Sequence, residues 1–120
     1  MGDSIKLSSA DIVGGSLCDY IRRRLPADSK WHKIANVFKT LSDPTRLKIV
    51  HTIMERELRV CDIAAILNMS LPAVSYHLKL LKDARLIKYR REGKNIYYYI
   101  DNHLLKALLS LGMGSNDDAE

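Results

Sequence analysis

No stretch of this 120-residue chain approaches the run of about 20 apolar residues that a membrane span requires. The first residues also lack the apolar core of a secretion signal. Both absences point to the cytoplasm and to no membrane partner. Cysteine is scarce too: Cys18 and Cys61 are the whole complement. Two are too few for the disulfide framework of a small secreted domain, so they read as reduced thiols. There is no nucleophile set beside a base, no paired-carboxylate site and no glycine-rich phosphate loop, which leaves an enzyme little to stand on. The length allows one domain with a modest core, of a size that oligomerisation would help.

Positive charge, by contrast, is plentiful and unevenly distributed. Residues 70–94 hold seven Lys/Arg (Lys79, Lys82, Arg85, Lys88, Arg90, Arg91, Lys94) against Asp83 and Glu92, a net of +5 that equals the net charge of the whole chain. A field so concentrated marks where a polyanion would dock.

The hydropathy pattern around this region predicts a helix-turn-helix. Val60, Ile63, Ala64 and Leu67 recur at i, i+3, i+4 and i+7, one stripe of a short helix. Asn68-Met69 breaks the period, and Ser70 is set to cap a second helix that starts at Leu71 and tolerates Pro72 in its first turn. On that helix Leu71, Val74, Leu78 and Leu81 form the expected buried seam, while Pro72, Ser75, Tyr76 and Lys79 face the other way. Small, hydroxyl and basic side chains suit a major groove, and Ser70 and Leu71 at the helix start complete the candidate reading head. Leu86–Arg91 then reads as a strand, Glu92–Asn95 as a turn and Ile96–Ile100 as the returning strand. Arg90, Arg91 and Lys94 on this wing are candidate phosphate contacts. The expected fold class is mainly α with a two-stranded β-hairpin, a winged helix-turn-helix.

The flanks are read more coarsely. Residues 1–8 are expected to be disordered, 9–111 to form the domain, and 112–120 to be a disordered acidic tail. A helix is expected from Ser9 or Asp11 to Arg24, stopped by Pro26. Its Arg22-Arg23-Arg24 end is either a phosphate contact or a solvated terminus complementing the helix dipole. A second helix carries Trp31, Ile34, Ala35, Phe38 and Leu41 on one face. Ser42-Asp43-Pro44 ends it and caps a third, which is expected to bury Leu47, Val50, Ile53 and Met54. Asp101 is the expected cap of a last helix, with Leu104, Leu105, Leu108 and Leu111 on one stripe. With Leu109 that makes five leucines in eight residues, a surplus that suggests a partner. A second copy fits, because two recognition helices about 34 Å apart meet successive turns of one duplex face. His32 and His51 are isolated and receive no role.

The runs LSDPTRLKIVHTI, ELRVCDIA and MSLPAVSYHLKLLKDARLIKYRREGKNIYYYI resemble the ArsR/SmtB family of metal-sensing winged-helix repressors, over roughly residues 32–111. The S-x-H-L-K-x-L pattern (Ser75, His77, Leu78, Lys79, Leu81) together with Val60–Ala64 carries most of that resemblance. It implies a homodimer on double-stranded operator DNA, with the first and last helices at the dimer interface. It also makes Arg46 a candidate phosphate contact, with a local salt bridge as the alternative. For an inducer the resemblance offers two places. Thiolate sensors of the family use paired cysteines on the first helix of the helix-turn-helix. Here Arg59 stands where the paired cysteine of a C-V-C arrangement would be, which leaves Cys61 to combine with Cys18 or to serve as a small packed residue. Asp101 and His103 match the D-x-H half of an interfacial zinc-type site, but Gly114 and Asp117 stand where its other ligands would be. The alternative is a cap and a surface imidazole. A zinc-like divalent ion, a thiophilic metal or metalloid, a redox signal on the thiols and no inducer all remain open. So does a rival class, a winged helix that binds protein.

Overall fold

The computed structural model describes residues 15–114, and these fall into two compact units divided between Lys33 and Ile34. The predicted disordered start, the first part of the expected N-terminal helix, and positions 115–120 with Asp117 lie outside the described residues.

In the first unit, α1 spans Leu17–Arg24. It begins where Ser16 Oγ accepts the Asp19 N–H at 3.0 Å, the usual way a hydroxyl satisfies an orphan donor at a helix start. It stops at Leu25, just before Pro26. Helix α2 spans Asp28–Leu41, so its first six residues belong to this unit and the rest to the second; it starts two residues before the predicted Lys30. In its first turn Trp31 Nε1 donates to the Pro26 carbonyl at 3.2 Å.

The second unit is built on three helices: α3 (Pro44–Glu55), α4 (Val60–Leu67) and α5 (Leu71–Asp83). Asp43 caps α3 by accepting the Arg46 N–H at 3.0 Å, and Pro44 occupies the first turn, where a missing N–H costs little. Helix α3 buries Ile49, Val50 and Ile53, with Ile49 at 0% exposure. Ile49 was absent from the expected core set, and the predicted Leu47 and Met54 are only half-buried. Ile63 and Ala64 of α4 and Val74, Leu78 and Leu81 of α5 complete the centre of this core.

Both helices of the helix-turn-helix end in the same way. After α4, Asn68 adopts φ 56° and Met69 N–H donates to the Ala64 carbonyl at 2.9 Å. After α5, Arg85 adopts φ 61°, its N–H donates to the Lys82 carbonyl at 2.9 Å, and Leu86 N–H donates to the Leu81 carbonyl at 3.0 Å. This is the Schellman arrangement, with the buried pair Leu81 and Leu86 as its hydrophobic contact. Asn visits the left-handed region at little cost. Arg85 does so against a penalty of roughly 1–2 kcal/mol, which burial of Leu86 offsets.

The hairpin is shorter at its entry and tighter at its turn than predicted. Strand β1 is Lys88–Glu92 and β2 is Asn95–Tyr99, antiparallel, with Lys88 opposite Tyr99 and Glu92 opposite Asn95. Leu86 and Ile87 leave the ladder because they turn into the core, at 6% and 3% exposure. Only Gly93-Lys94 form the loop. Among them only Gly93 has a positive φ, 64°, as a two-residue turn with glycine first demands. Leu58 adds a third short rung: it exchanges both backbone hydrogen bonds with Tyr98, at 3.1 and 2.8 Å.

Helix α6 spans His103–Met113, running two residues past the predicted boundary at 111. Its cap is Asn102, whose side chain accepts the Leu105 N–H at 3.0 Å. The expected cap, Asp101, is instead drawn to Lys88 Nζ at 2.9 Å. Leu105 and Leu109 enter the protomer's own core, while Leu108 and Leu111 stay exposed at 45% and 80%.

Candidate nucleic-acid interface

Helix α5 presents the predicted polar face. Pro72, Ser75, Tyr76 and Lys79 are all exposed, opposite buried Val74, Leu78 and Leu81. Ser70 Oγ accepts the Ala73 N–H at 3.3 Å, so this hydroxyl both starts the helix and sits at its exposed end. Leu71 does not join the seam. As the first residue of α5 its side chain leans back past the Val74 layer and is 52% exposed. That removes it from the core and keeps it at the reading end. A groove of about 380 Å³ runs between the start of α4, the start of α5 and the wing tip, lined by Arg59, Cys61, Leu71, Ser75, Lys94 and Ile96. Chain folding thus brings the helix start and the wing tip to one concave surface.

The seven cations of residues 70–94 divide into distinct states. Lys79 Nζ pairs with Asp83 at 2.9 Å, and the lysine holds that carboxyl below its ordinary range. Lys88 pairs with Asp101; the contact raises the lysine and lowers the carboxylate. Arg90 is bound by Glu57 and, at 3.2 Å, by Glu92, with Glu57 the main cause of its raised pKa. Lys82 lies 5.2 Å from the centre of the Tyr89 ring, a cation–π distance. Arg85, Arg91 and Lys94 have no ion-pair partner among the described residues. Of the three predicted phosphate contacts, then, Arg91 and Lys94 are available and Arg90 is engaged.

Arg46 is a staple inside the fold. Its Nη1 donates to the Thr40 carbonyl at 3.1 Å and its Nε to His77 Nδ1 at 3.2 Å, tying the end of α2 and the start of α3 to the recognition helix. His77 therefore accepts through Nδ1, which explains its part in the sequence pattern better than any outward role. No salt bridge holds Arg46 among the described residues; its contacts are these hydrogen bonds. Its replacement by alanine should cost about 1–3 kcal/mol of stability and leave the salt dependence of duplex binding unchanged. Chemical denaturation beside a salt titration checks this. A salt slope lowered by about one, with stability intact, would restore the phosphate role.

The predicted inducer residues are less assembled. Cys18 and Cys61 are both exposed free thiols, so Cys61 is not a small packed residue, and the two belong to different units. Arg59 occupies the neighbouring position as a clamp. Asp62 accepts its backbone N–H at 3.0 Å and its guanidinium through both oxygens at 3.1 Å, and the Arg59 bonds hold the carboxyl low. The guanidinium is therefore committed to Asp62 and to the start of α4. Asp101 and His103 do not share a first helical turn, since Asn102 is the cap and Lys88 holds Asp101. Among the described residues no three His, Cys, Asp or Glu side chains cluster as a metal site. The Asp101/His103 pair thus does not fit a zinc-type site within one protomer.

For the expected dimer contacts, Leu108 and Leu111 are exposed and Leu105 is spent on the protomer's core; the Leu104 side chain lies outside the described set. Ile34 and Phe38 of α2 are also exposed, at 47% and 57%. An apolar hollow of about 280 Å³ lies between α2 and α6, lined by Phe38, Leu41, Leu86, Leu105 and Leu108 among others.

Comparison with known proteins gives these features a common setting. Residues 43–89 match the family model described as bacterial regulatory protein, arsR family. The cadmium resistance transcriptional regulatory protein CadC homolog of Staphylococcus aureus is 48% identical over 63% of this chain and 64% of its own length. This chain therefore spans less than two thirds of that relative. The transcriptional repressor SdpR of Bacillus subtilis is 38% identical over 68% of this chain and 97% of its own length. Among solved structures, a homodimeric winged helix-turn-helix DNA-binding domain from Mycobacterium bovis superposes with TM-score 0.68 at 30% identity, covering 79% of this chain and 91% of that one.

Proposed function

We propose, given that the chain belongs to the arsR family of bacterial regulatory proteins, that it is a homodimeric, sequence-specific DNA-binding transcriptional repressor. One observation carries the reading. Ser75, on the exposed face of α5, and the wing-tip cation Lys94, which has no ion-pair partner among the described residues, line one groove. The helix would enter the major groove while the wing meets phosphates. Among the described residues no helix is long and apolar enough to cross a membrane, and the cytoplasm is where operator DNA would be met. Binding to an operator selected from a random duplex pool tests the reading head. Ser75→Ala and Tyr76→Ala should each lose about 1–3 kcal/mol of discrimination, the scale of a good base contact. Unchanged affinity in both would take α5 out of the groove.

Release by a thiophilic metal or metalloid is the inducer class that the relatives support, one of them being named for cadmium resistance. Cys18 and Cys61 are the soft donors this chain offers. A single thiolate makes a weak site, since soft ions favour two or more. Titrating the operator complex with cadmium or arsenite, with Cys61→Ser alongside, decides whether that thiol takes part. Release that persists in the variant excludes Cys61.

A further inference from the structure

Arg90 is the most restrained cation of the wing, and the restraints come from three segments. In the ladder it lies opposite Tyr97, and its guanidinium sits 4.8 Å from the centre of that ring. Its Nη1 reaches Glu92 at 3.2 Å. Its Nε reaches Glu57, in the connection between α3 and α4. Glu57 is itself well fixed, because the next residue, Leu58, exchanges two backbone hydrogen bonds with Tyr98. Arg90 therefore extends across β2 and binds the segment on its far side.

Charge and geometry agree on what such a side chain does. One guanidinium between two carboxylates forms a cluster of net charge −1, which would repel a phosphate. Successive strand residues point to opposite faces, so while Arg90 lies over Tyr97, Arg91 is directed to the other face and has no ion-pair partner among the described residues. A two-stranded hairpin alone is marginally stable, and a cross-link from the middle of its first strand to the segment beyond β2 determines where its tip is held. Resting on the DNA-binding reading above, we propose that Glu57 is a positioning residue for the wing: by holding Arg90 along the sheet it sets the hairpin so that Arg91 and Lys94, rather than Arg90, meet the phosphates.

Glu57→Gln tests this with opposite signs for the two accounts. Removing a negative charge near a polyanion should by itself tighten binding. If Arg90 were a phosphate contact, freeing it would tighten binding further. If Glu57 positions the wing, Glu57→Gln should instead weaken binding to a random-sequence duplex, by about threefold or more. The reciprocal exchange, Glu57→Arg with Arg90→Glu, should then recover near-wild-type affinity, which a loss of overall stability would not allow. The measurement is fluorescence anisotropy of the full-length protein on a labelled random-sequence duplex at fixed salt. Binding by Glu57→Gln that equals or exceeds wild type overturns the inference, as does a reciprocal variant that stays weak. A wild type that ignores the duplex overturns the DNA-binding reading as well, so the two failures are distinguishable.

Discussion

Replacing Leu108 and Leu111 together by glutamate is expected to leave a folded monomer whose operator affinity is lower by about two to four orders of magnitude. Both side chains are exposed, at 45% and 80%, so their loss removes little from the protomer's core, which α6 supplies through Leu105 and Leu109. Their own surroundings are apolar. Leu108 borders the hollow beside Phe38 and Leu41, and a face of that kind on a small regulator is better covered than wet. Two carboxylates buried there without partners would oppose association strongly. Operator affinity falls because an unlinked second half-site must be bound as a separate event, without the effective concentration that a dimer supplies. Sedimentation at micromolar concentration, before and after substitution, reads the outcome. A wild type already monomeric there, or a double variant that stays dimeric, removes α6 from the interface.

The largest effect on stability is expected at Ile49. It is fully buried, at 0% exposure, where α3 meets the helix-turn-helix. Its truncation to alanine should cost about 2–5 kcal/mol, by lost transfer energy and by the cavity left behind. That is a large share of the roughly 5–15 kcal/mol that holds a domain together. Leu47→Ala, on the half-buried flank of the same helix, should cost clearly less. Chemical denaturation of the two variants decides the order, and a larger cost at Leu47 would contradict the packing described for α3.

What could be read from the residues, and what could not, follows from the range of the interactions involved. The helix-turn-helix was legible because its signals are local. A stripe repeats at Val60, Ile63, Ala64 and Leu67, Ser70 stands before an apolar run, and the net charge of the chain falls on the same residues. Ile49 was missed because α3 carries apolar residues on more than one face, and the pattern alone does not say which of them meets α4 and α5. The entry to the wing was misjudged because Leu86 and Ile87 have strand-like side chains, yet a left-handed Arg85 aims them inward. Nothing local marks that turn when glycine is absent. Asp101 and Asn102 are both good caps side by side; Lys88, brought opposite Tyr99 by the hairpin register, takes the aspartate and leaves the cap to asparagine. The engagement of Arg90 by Glu57 joins residues 33 apart, and the sheet rung at Leu58 that makes it possible cannot be seen in sequence spacing. Lys79–Asp83 is the exception, an i,i+4 pair whose spacing was visible throughout.

The central claim, a dimeric reader of duplex DNA, is most directly tested by the affinity of the wild-type protein for a duplex as a function of salt. Arg91 and Lys94 from each of two protomers would neutralise about four phosphates. Log affinity should then fall linearly with log salt, with a slope of about −3.6. A shallow or absent salt dependence, or preferential binding to a protein surface under the same conditions, would contradict the account.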